Sequence, residues 1–295
     1  MYPRQVIRFF AFFLFIFLAA CATLTPKEVI TSPGLLWLIE KPGVQPSYIF
    51  GTIHSEDPRV TTIPDRVYSA FSAADSVAFE ILLDNKSSQE AARAMFFTDG
   101  RELKSVVDRK TYSQAVDAMK HNKIDEGIVN MMKPWAIFVT LNLPVQKTGL
   151  FLDVILFNEA KKKNKELIGL EEIMEQVDAL AGMSDADQIV LLKSTLQEYE
   201  KNSDFMDKLL DVYLSRDLEK ILTLYEKYQL TIEPRVAKIF NQRILIARNY
   251  RMLERMQILL EKGNSFVAVG ALHLPGDEGI LNLLRLQHYQ VTSVY

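Results

Sequence analysis

The sequence predicts a mixed α/β fold: a small, mostly parallel central sheet formed by the N- and C-terminal parts of the chain, with a large helical insertion between them. Three observations carry this reading. The run Phe266-Val267-Ala268-Val269 is apolar without alternation, the mark of a strand buried on both faces, and it ends in Gly270-Ala271-Leu272-His273. Far upstream, Tyr48-Ile49-Phe50-Gly51-Thr52-Ile53-His54 repeats the same grammar of apolar strand, glycine, two residues and histidine. Between them apolar residues recur mostly at helical spacing, broken by short extended segments at Ser76–Leu82 and Glu166–Glu171.

Taken in order, residues 1–20 read as a signal segment. Arg4 and Arg8 form a basic start, Phe9 to Leu18 is an apolar core, and Leu18-Ala19-Ala20-Cys21 matches the lipobox of a bacterial lipoprotein, with Cys21 as the lipidated residue. The apolar core is too short to span a bilayer comfortably, for which ~20 residues are needed. Ala22 follows the cysteine where an aspartate would favour inner-membrane retention. The expected location is therefore the bacterial cell envelope, lipid-anchored in the outer membrane and facing the periplasm, with the membrane as a partner through that anchor.

Residues 21–34 suit a tether, and 35–295 form the folded domain, with the helical insertion at about 86–262. Cys21 is the only cysteine, which excludes an intrachain disulfide and thiolate metal ligands. The net charge is −3, and loss of the two leader arginines leaves −5, so nothing points to nucleic acid.

Leu35–Glu40 and Ser47–Thr52 flank Lys41-Pro42-Gly43 as a β-hairpin. Pro64-Asp65 opens a helix to about Ala74, with Val67, Tyr68 and Phe71 on its inner face. Ser76–Leu82 returns as a strand carrying one carboxylate, Glu80. From Gln89 to Lys165 the pattern is helical, with a boundary at Lys133-Pro134-Trp135. After Glu166–Glu171, helices are expected over Glu172–Leu180, Asp185–Tyr199, Phe205–Leu214, Leu218–Tyr228 and, uninterrupted, Pro234–Lys262. Asp277 should cap a helix Glu278–His288 with Ile280, Leu281, Leu284 and Gln287 on one face. Tyr289–Val294 closes the chain as a strand.

The chemistry concentrates at strand ends. His54, Glu80, Glu171 and His273 all sit in or just past strands that feed helices, where ligands bind in open α/β sheets. Two imidazoles and one or two carboxylates form a ligand set for a divalent ion, zinc, manganese, cobalt or ferrous iron, which activates water for hydrolysis. Each residue also has a plain structural reading. A lone histidine near a turn is often a satisfied core group, Glu80 could face solvent from a sheet edge, and Glu171 could simply favour a helix N-terminus. Arg248, on the long helix, is either a solvated residue or a clamp for a carboxylate or oxyanion. The chain has four histidines, and two share the strand-glycine context; His121 and His288 lack it and read as surface residues.

The pairing of Gly51-Thr52-Ile53-His54 with Gly270-Ala271-Leu272-His273-Leu274-Pro275-Gly276 resembles the TraB/GumN family, whose two G-x-x-H motifs bracket a helical middle. Val77-Ala78-Phe79-Glu80, Lys133-Pro134-Trp135, Asp153, Gly169-Leu170-Glu171 and Arg248-Asn249 add to the likeness. The resemblance implies a fold shared with Tiki-type metalloproteases and, more distantly, with erythromycin esterases and a haem-binding lipoprotein. It implies a metal held by His54, His273 and Glu80; in the hydrolase reading Glu171 is the candidate base and Arg248 the candidate oxyanion or carboxylate clamp. Two functions are expected in turn: a membrane-anchored periplasmic metal-dependent hydrolase acting on a peptide or small-molecule substrate, or a non-catalytic lipoprotein holding haem or a peptide in the same cleft.

Overall fold

The structure is a computed structural model that describes residues 33–295, apart from 83, 145–146 and 200–201. The signal segment, Cys21 and most of the tether lie outside the described residues.

Six strands form one sheet among the described residues: β1 (Leu36–Glu40), β2 (Ser47–Thr52), β3 (Ser76–Phe79), β4 (Glu166–Gly169), β5 (Ser265–Gly270) and β6 (Gln290–Ser293), in spatial order β4-β3-β5-β2-β1-β6. β4, β3, β5 and β2 run parallel, while β1 pairs antiparallel with both β2 and β6. The hairpin β1–β2 closes at Gly43, whose φ of +80° suits a residue without a side chain. The fully apolar β5 occupies the middle of the sheet, and its residues Phe266 to Val269 are completely buried.

Helices α1 (Pro58–Thr61) and α2 (Asp65–Ala73) link β2 to β3. Six more precede β4: α3 (Asn85–Ala94), α4 (Leu103–Val106), α5 (Arg109–Met119), α6 (Glu126–Met131), α7 (Pro134–Asn142) and α8 (Leu152–Lys162). Between β4 and β5 lie α9 (Ile173–Ala181), α10 (Asp185–Glu198), α11 (Asn202–Leu214), α12 (Leu218–Gln229), α13 (Pro234–Asn241) and α14 (Ala247–Lys262), and α15 (Ile280–Leu286) precedes β6. Their starts follow local chemistry. Asp108, Asp125, Ser184 and Asp217 accept backbone N–H bonds at the first turns of α5, α6, α10 and α12, and Pro134 opens α7 where its missing N–H costs nothing.

Two apolar cores result. Under the sheet, the Phe266 ring meets Phe71 of α2 edge-on at 5.5 Å and Phe50 at 6.2 Å. Each such buried ring contributes roughly 1.5–3 kcal/mol by leaving water. In the helical part, α7 is buried almost all round, and Trp135, Ile137 and Phe138 pack with Leu191, Val236 and Phe240.

Several boundaries differ from expectation. β3 ends at Phe79 and not Leu82, because its ladder partners Gly169 and Ala268 are the last to pair, so Glu80 stands just beyond the strand. Tyr68 is exposed, and Ala70 takes its place on the inner face of α2. The stretch from Pro234 to Lys262 is interrupted by a π-helical turn, Gln242–Ile246. The last helix starts at Ile280 behind Gly279, with Gln287 exposed. Asp277 does not cap it because the chain first folds back on itself: the Gly279 N–H bonds the Gly276 carbonyl, and a Cβ on Gly279 would lie 2.0 Å from the Pro275 oxygen.

Candidate active site

The parallel strands end on one edge of the sheet. Thr52 of β2 is level with Gly270 of β5, and Phe79 of β3 is level with Ala268 of β5 and Gly169 of β4. His54, Glu80, Glu171 and His273 therefore leave the sheet at the same end. One continuous cavity touches Thr52, His54, Glu80, Arg248, Gly270 and His273.

His273 ends a tight 3-10 turn, Ala271–His273, directly after β5, and is 6% exposed. Its Nδ1 lies 2.6 Å from Asn249 Oδ1, while Asn249 Nδ2 donates to the Glu278 carbonyl at 2.7 Å. The second bond fixes the amide, so Oδ1 faces the ring and Nδ1 carries the proton. Nε2 is left with a free lone pair. Burial, aided by the Arg248 charge, pushes the imidazole pKa down to about 4, which keeps the ring neutral near pH 7.

Glu80 Oε1 lies 3.7 Å from His273 Nε2 and accepts the Gly270 N–H at 2.7 Å. Its other oxygen accepts Arg248 Nη2 at 2.7 Å and Gln176 Nε2 at 3.1 Å. Burial alone would raise its pKa; Arg248, His273, the Gly270 N–H and His54 outweigh that and hold it at about 2. Glu80 is thus a fixed carboxylate at neutral pH. Gly270 is constrained in turn, since a Cβ there would sit 3.2 Å from Glu80 Oε1.

Arg248 reaches this position from the first turn of α14. The π turn ahead of it, closed by an Ala247 N–H to Gln242 carbonyl bond, turns the following residues by about 100° relative to an uninterrupted helix. Adjacent residues then serve two partners, Arg248 for Glu80 and Asn249 for His273. Glu171, fully buried as a side chain, receives Arg248 Nε and Nη2 on one oxygen, at 2.9 and 2.7 Å, and Arg251 Nη1 on the other at 2.9 Å. Both its oxygens are engaged by guanidinium groups, an arrangement that holds Arg248 rather than one that presents a base to the cleft.

His54 stands two residues past β2, its side chain 55% exposed and its ring 4.7 Å from that of Phe151. Its Nε2 is 3.8 Å from Asp153 Oδ2, in the first turn of α8. Thr52 Oγ1 donates to Asp153 Oδ1 at 2.6 Å, whereas the buried Oδ2 has no hydrogen-bond partner. Burial raises the Asp153 pKa against the lowering effects of His54 and Thr52. Asp153 and Asn249, which belong to the family likeness but carry no expected role, and Gln176, which the motifs passed over, are the site residues the structure adds. For Asp153 the available signal is a carboxylate in the first turn of an otherwise apolar helix face.

Two close pairs stand at this edge, His273 with Glu80 at 3.7 Å and His54 with Asp153 at 3.8 Å, and the expected ligands His54, His273 and Glu80 all line the one cavity. Among the described residues, no three His, Cys, Asp or Glu side chains are clustered as a ready metal site. Glu80 is also held by Arg248 and Gly270 and Asp153 by Thr52, and the pairs act on each other: His54 lowers the Glu80 pKa and Glu80 raises that of Asp153. The chemistry of the set fits a divalent cation: a neutral imidazole with a free Nε2, an ionised carboxylate and a second histidine share one cleft, and the unpartnered carboxylate oxygen of Asp153 lies 3.8 Å from that second histidine.

The sequence model of the TraB/PrgY/gumN family matches residues 35–293, and the chain belongs to this family. It is 25% identical to the zebrafish (Danio rerio) metalloprotease TIKI2, over 88% of this chain and 60% of that protein. Human (Homo sapiens) metalloprotease TIKI1 is 24% identical over 88% of this chain and 61% of its own length. An uncharacterised protein of Shigella flexneri, YbaP, is 22% identical over 84% of this chain and 90% of that protein. The chain thus spans about 60% of the length of the TIKI relatives that it matches.

Proposed function

We infer that this chain is a metal-dependent hydrolase of the TraB/PrgY/gumN family, acting as a peptidase on peptide substrates. The observation that carries the reading is the pairing, at 3.7 Å, of an Asn249-oriented His273 that is neutral near pH 7 with a Glu80 that is ionised there, on the sheet edge that His54 shares. The metalloprotease relatives support it at a distance.

His54, His273 and Glu80 would hold the ion, and the unpartnered Oδ2 of Asp153 supplies a fourth donor beside His54. A bound divalent ion supplies Lewis acidity and lowers the pKa of a water molecule. The chain's own groups set the stage for it. Asn249 holds the proton of His273 on Nδ1, Arg248 fixes Glu80 and cancels its charge, and Glu171 with Arg251 fixes Arg248. Arg248 is a positioning residue in this reading, because its Nε and Nη2 donors are already committed to carboxylates.

The test is metal content by elemental analysis after dialysis, run beside cleavage of a peptide library with and without chelator. The reading expects about one ion per chain and chelator-sensitive cleavage that ion addition restores. Retention of no metal by correctly folded protein, or cleavage indifferent to chelator, overturns it. Placement in the outer membrane through lipid on Cys21 is a separate part of the proposal, supported by Leu18-Ala19-Ala20-Cys21. Cys21→Ser should leave an uncleaved precursor or release the protein from the membrane; normal cleavage with continued membrane attachment refutes the anchor.

A further inference from the structure

The cavity beside the histidines is larger and more apolar than the polar groups at its mouth need. Its volume is about 620 Å³, and beyond His54 and His273 its walls come from α7, α9, α11, α12 and the π turn, through residues such as Val139, Val177, Leu180, Leu209, Ile221 and Ile244. A dry cavity of about 150 Å³ holds a benzene ring, so this one takes an apolar group about four times that size. A single amino-acid side chain would leave most of it empty.

With one exception, the buried side-chain polar atoms in these walls are already used. Tyr213 donates to the Gly51 carbonyl at 2.9 Å, Tyr225 to Asn241 at 3.0 Å, and Tyr228 to Asn142 at 3.4 Å. Asn142 Nδ2 is spent on the Phe138 carbonyl and Thr195. Among the described residues, the only buried side-chain polar atom of the lining without a partner is Trp135 Nε1. Peptide backbone entering the cavity would bring an N–H and a carbonyl per residue, each costing about 1–3 kcal/mol when left unpaired. The walls accept hydrocarbon and reject amides.

We propose that this cavity takes a long hydrocarbon chain, so that the peptides it prefers are acylated ones, whose scissile amide carbonyl stays at the mouth, beside His54, Glu80 and His273. The inference rests on the hydrolase reading for its reaction: water delivers OH to the acyl carbon and a proton to the departing amine, giving a free acid. The binding half needs no metal and no turnover. A substrate of this class lies flat across two environments, its polar head among the charged groups and its chain between the helices.

The protein carries its own reporter. Of its two tryptophans, Trp135 lines the cavity and Trp37 lies in β1, away from it. The probe is 12-bromododecanamide, a neutral C12 amide whose bromine quenches indole fluorescence on contact. With chelator-treated full-length protein, saturable quenching is expected in the unmodified chain and in Trp37→Phe, and its loss is expected in Trp135→Phe. Val139→Phe and Val177→Phe, on separate helices, should each weaken binding at least tenfold while retaining the cooperative unfolding of the parent.

Quenching that is absent or survives Trp135→Phe overturns the proposal, as does unchanged binding in both valine variants. So does displacement of the probe by a capped Leu-Phe-Leu tripeptide or by haemin at lower concentration than by unbrominated dodecanamide. If both valine variants fail to fold, the two tryptophan variants still decide. Ammonia release on adding a divalent ion separates the two claims. Trp135 quenching without turnover leaves the hydrocarbon site standing and removes hydrolysis of this probe; peptide cleavage without quenching does the reverse.

Discussion

Replacing Arg248 by methionine tests the electrostatic logic of the site, because one guanidinium holds two buried carboxylates. The substitution removes three short bonds, to Glu80 at 2.7 Å and to Glu171 at 2.7 and 2.9 Å. The Arg248 side chain is only 11% exposed, so solvent offers little compensation. Removing one partner from a buried ion pair costs about 3–5 kcal/mol. The Glu80 pKa gives a comparable figure: lowering it from 4.5 to about 2 corresponds to ~3 kcal/mol, shared between Arg248, His273, the Gly270 N–H and His54. Glu171 keeps Arg251 and Glu80 keeps Gly270, so the expected loss lies near ~3 kcal/mol, the lower end of the range. Because the folded pKa of Glu80 lies below its unfolded value, its stabilisation is complete above pH 4.5 and disappears as pH falls towards 2. His273 acts in a higher window. Its pKa falls on folding, so stability is full above 6.5 and declines as pH drops to about 4. Urea unfolding of parent and Arg248→Met from pH 7 to 3 should show the lower window shrinking in the variant and the upper one persisting, since burial is the first cause of the His273 shift. Adding Glu80→Gln to Arg248→Met should recover at least ~1 kcal/mol relative to additivity. A loss below ~1 kcal/mol at pH 7, or an unchanged lower window, refutes the reasoning.

His54→Ala and His273→Ala should each abolish metal retention in elemental analysis, with the double variant losing little more, because either loss leaves too few donors; full occupancy in either single variant rules out a shared ion. Asn249→Ala should destabilise the fold by roughly 1–3 kcal/mol by stranding the His273 Nδ1 proton, and weaken metal affinity about 10- to 100-fold in a competitive chelator titration. Asp153→Asn should weaken metal binding without lowering the thermal midpoint, since Thr52 can still donate to the amide oxygen; unaltered affinity excludes Asp153 as a donor. Gly51→Ala would put a Cβ 3.0 Å from the Ala271 Cα and 3.1 Å from its Cβ, so urea unfolding should show a loss of about 1–3 kcal/mol.

The strands were legible because burial on both faces leaves continuous apolar runs, and β5, β2 and the β1–β2 hairpin stand where that pattern places them. The edges were less so. Glu80 falls outside β3 even though its carbonyl still accepts the Glu171 N–H at 2.7 Å, a pairing that continues past the regular ladder and leaves no trace in composition. The strand-end histidines stood out because glycine and histidine are scarce and repeat one spacing. The roles of their supporting residues did not, although Asp153 and Asn249 belong to the family likeness: Asp153 meets Thr52 across 101 positions, and on a helix a carboxylate or amide looks the same whether it faces water or a buried imidazole. Glu171 carries the same lesson in reverse. Its place after a strand suggested a base, and only the arrival of Arg248 and Arg251 on α14 shows both oxygens occupied. The π turn has no propensity signature at all.

That turn ties the site to the scaffold. Residues on either side of Gln242–Ile246 pack into their own surroundings, Val236 and Phe240 before it and Met252, Met256 and Leu259 after it. The phase between these two halves is set by one surplus residue. Deleting one residue in this segment would swing Arg248 and Asn249 away from Glu80 and His273 and, by the same rotation, turn Met252, Met256 and Leu259 out of the core, so the site and the packing of this helix share one phase.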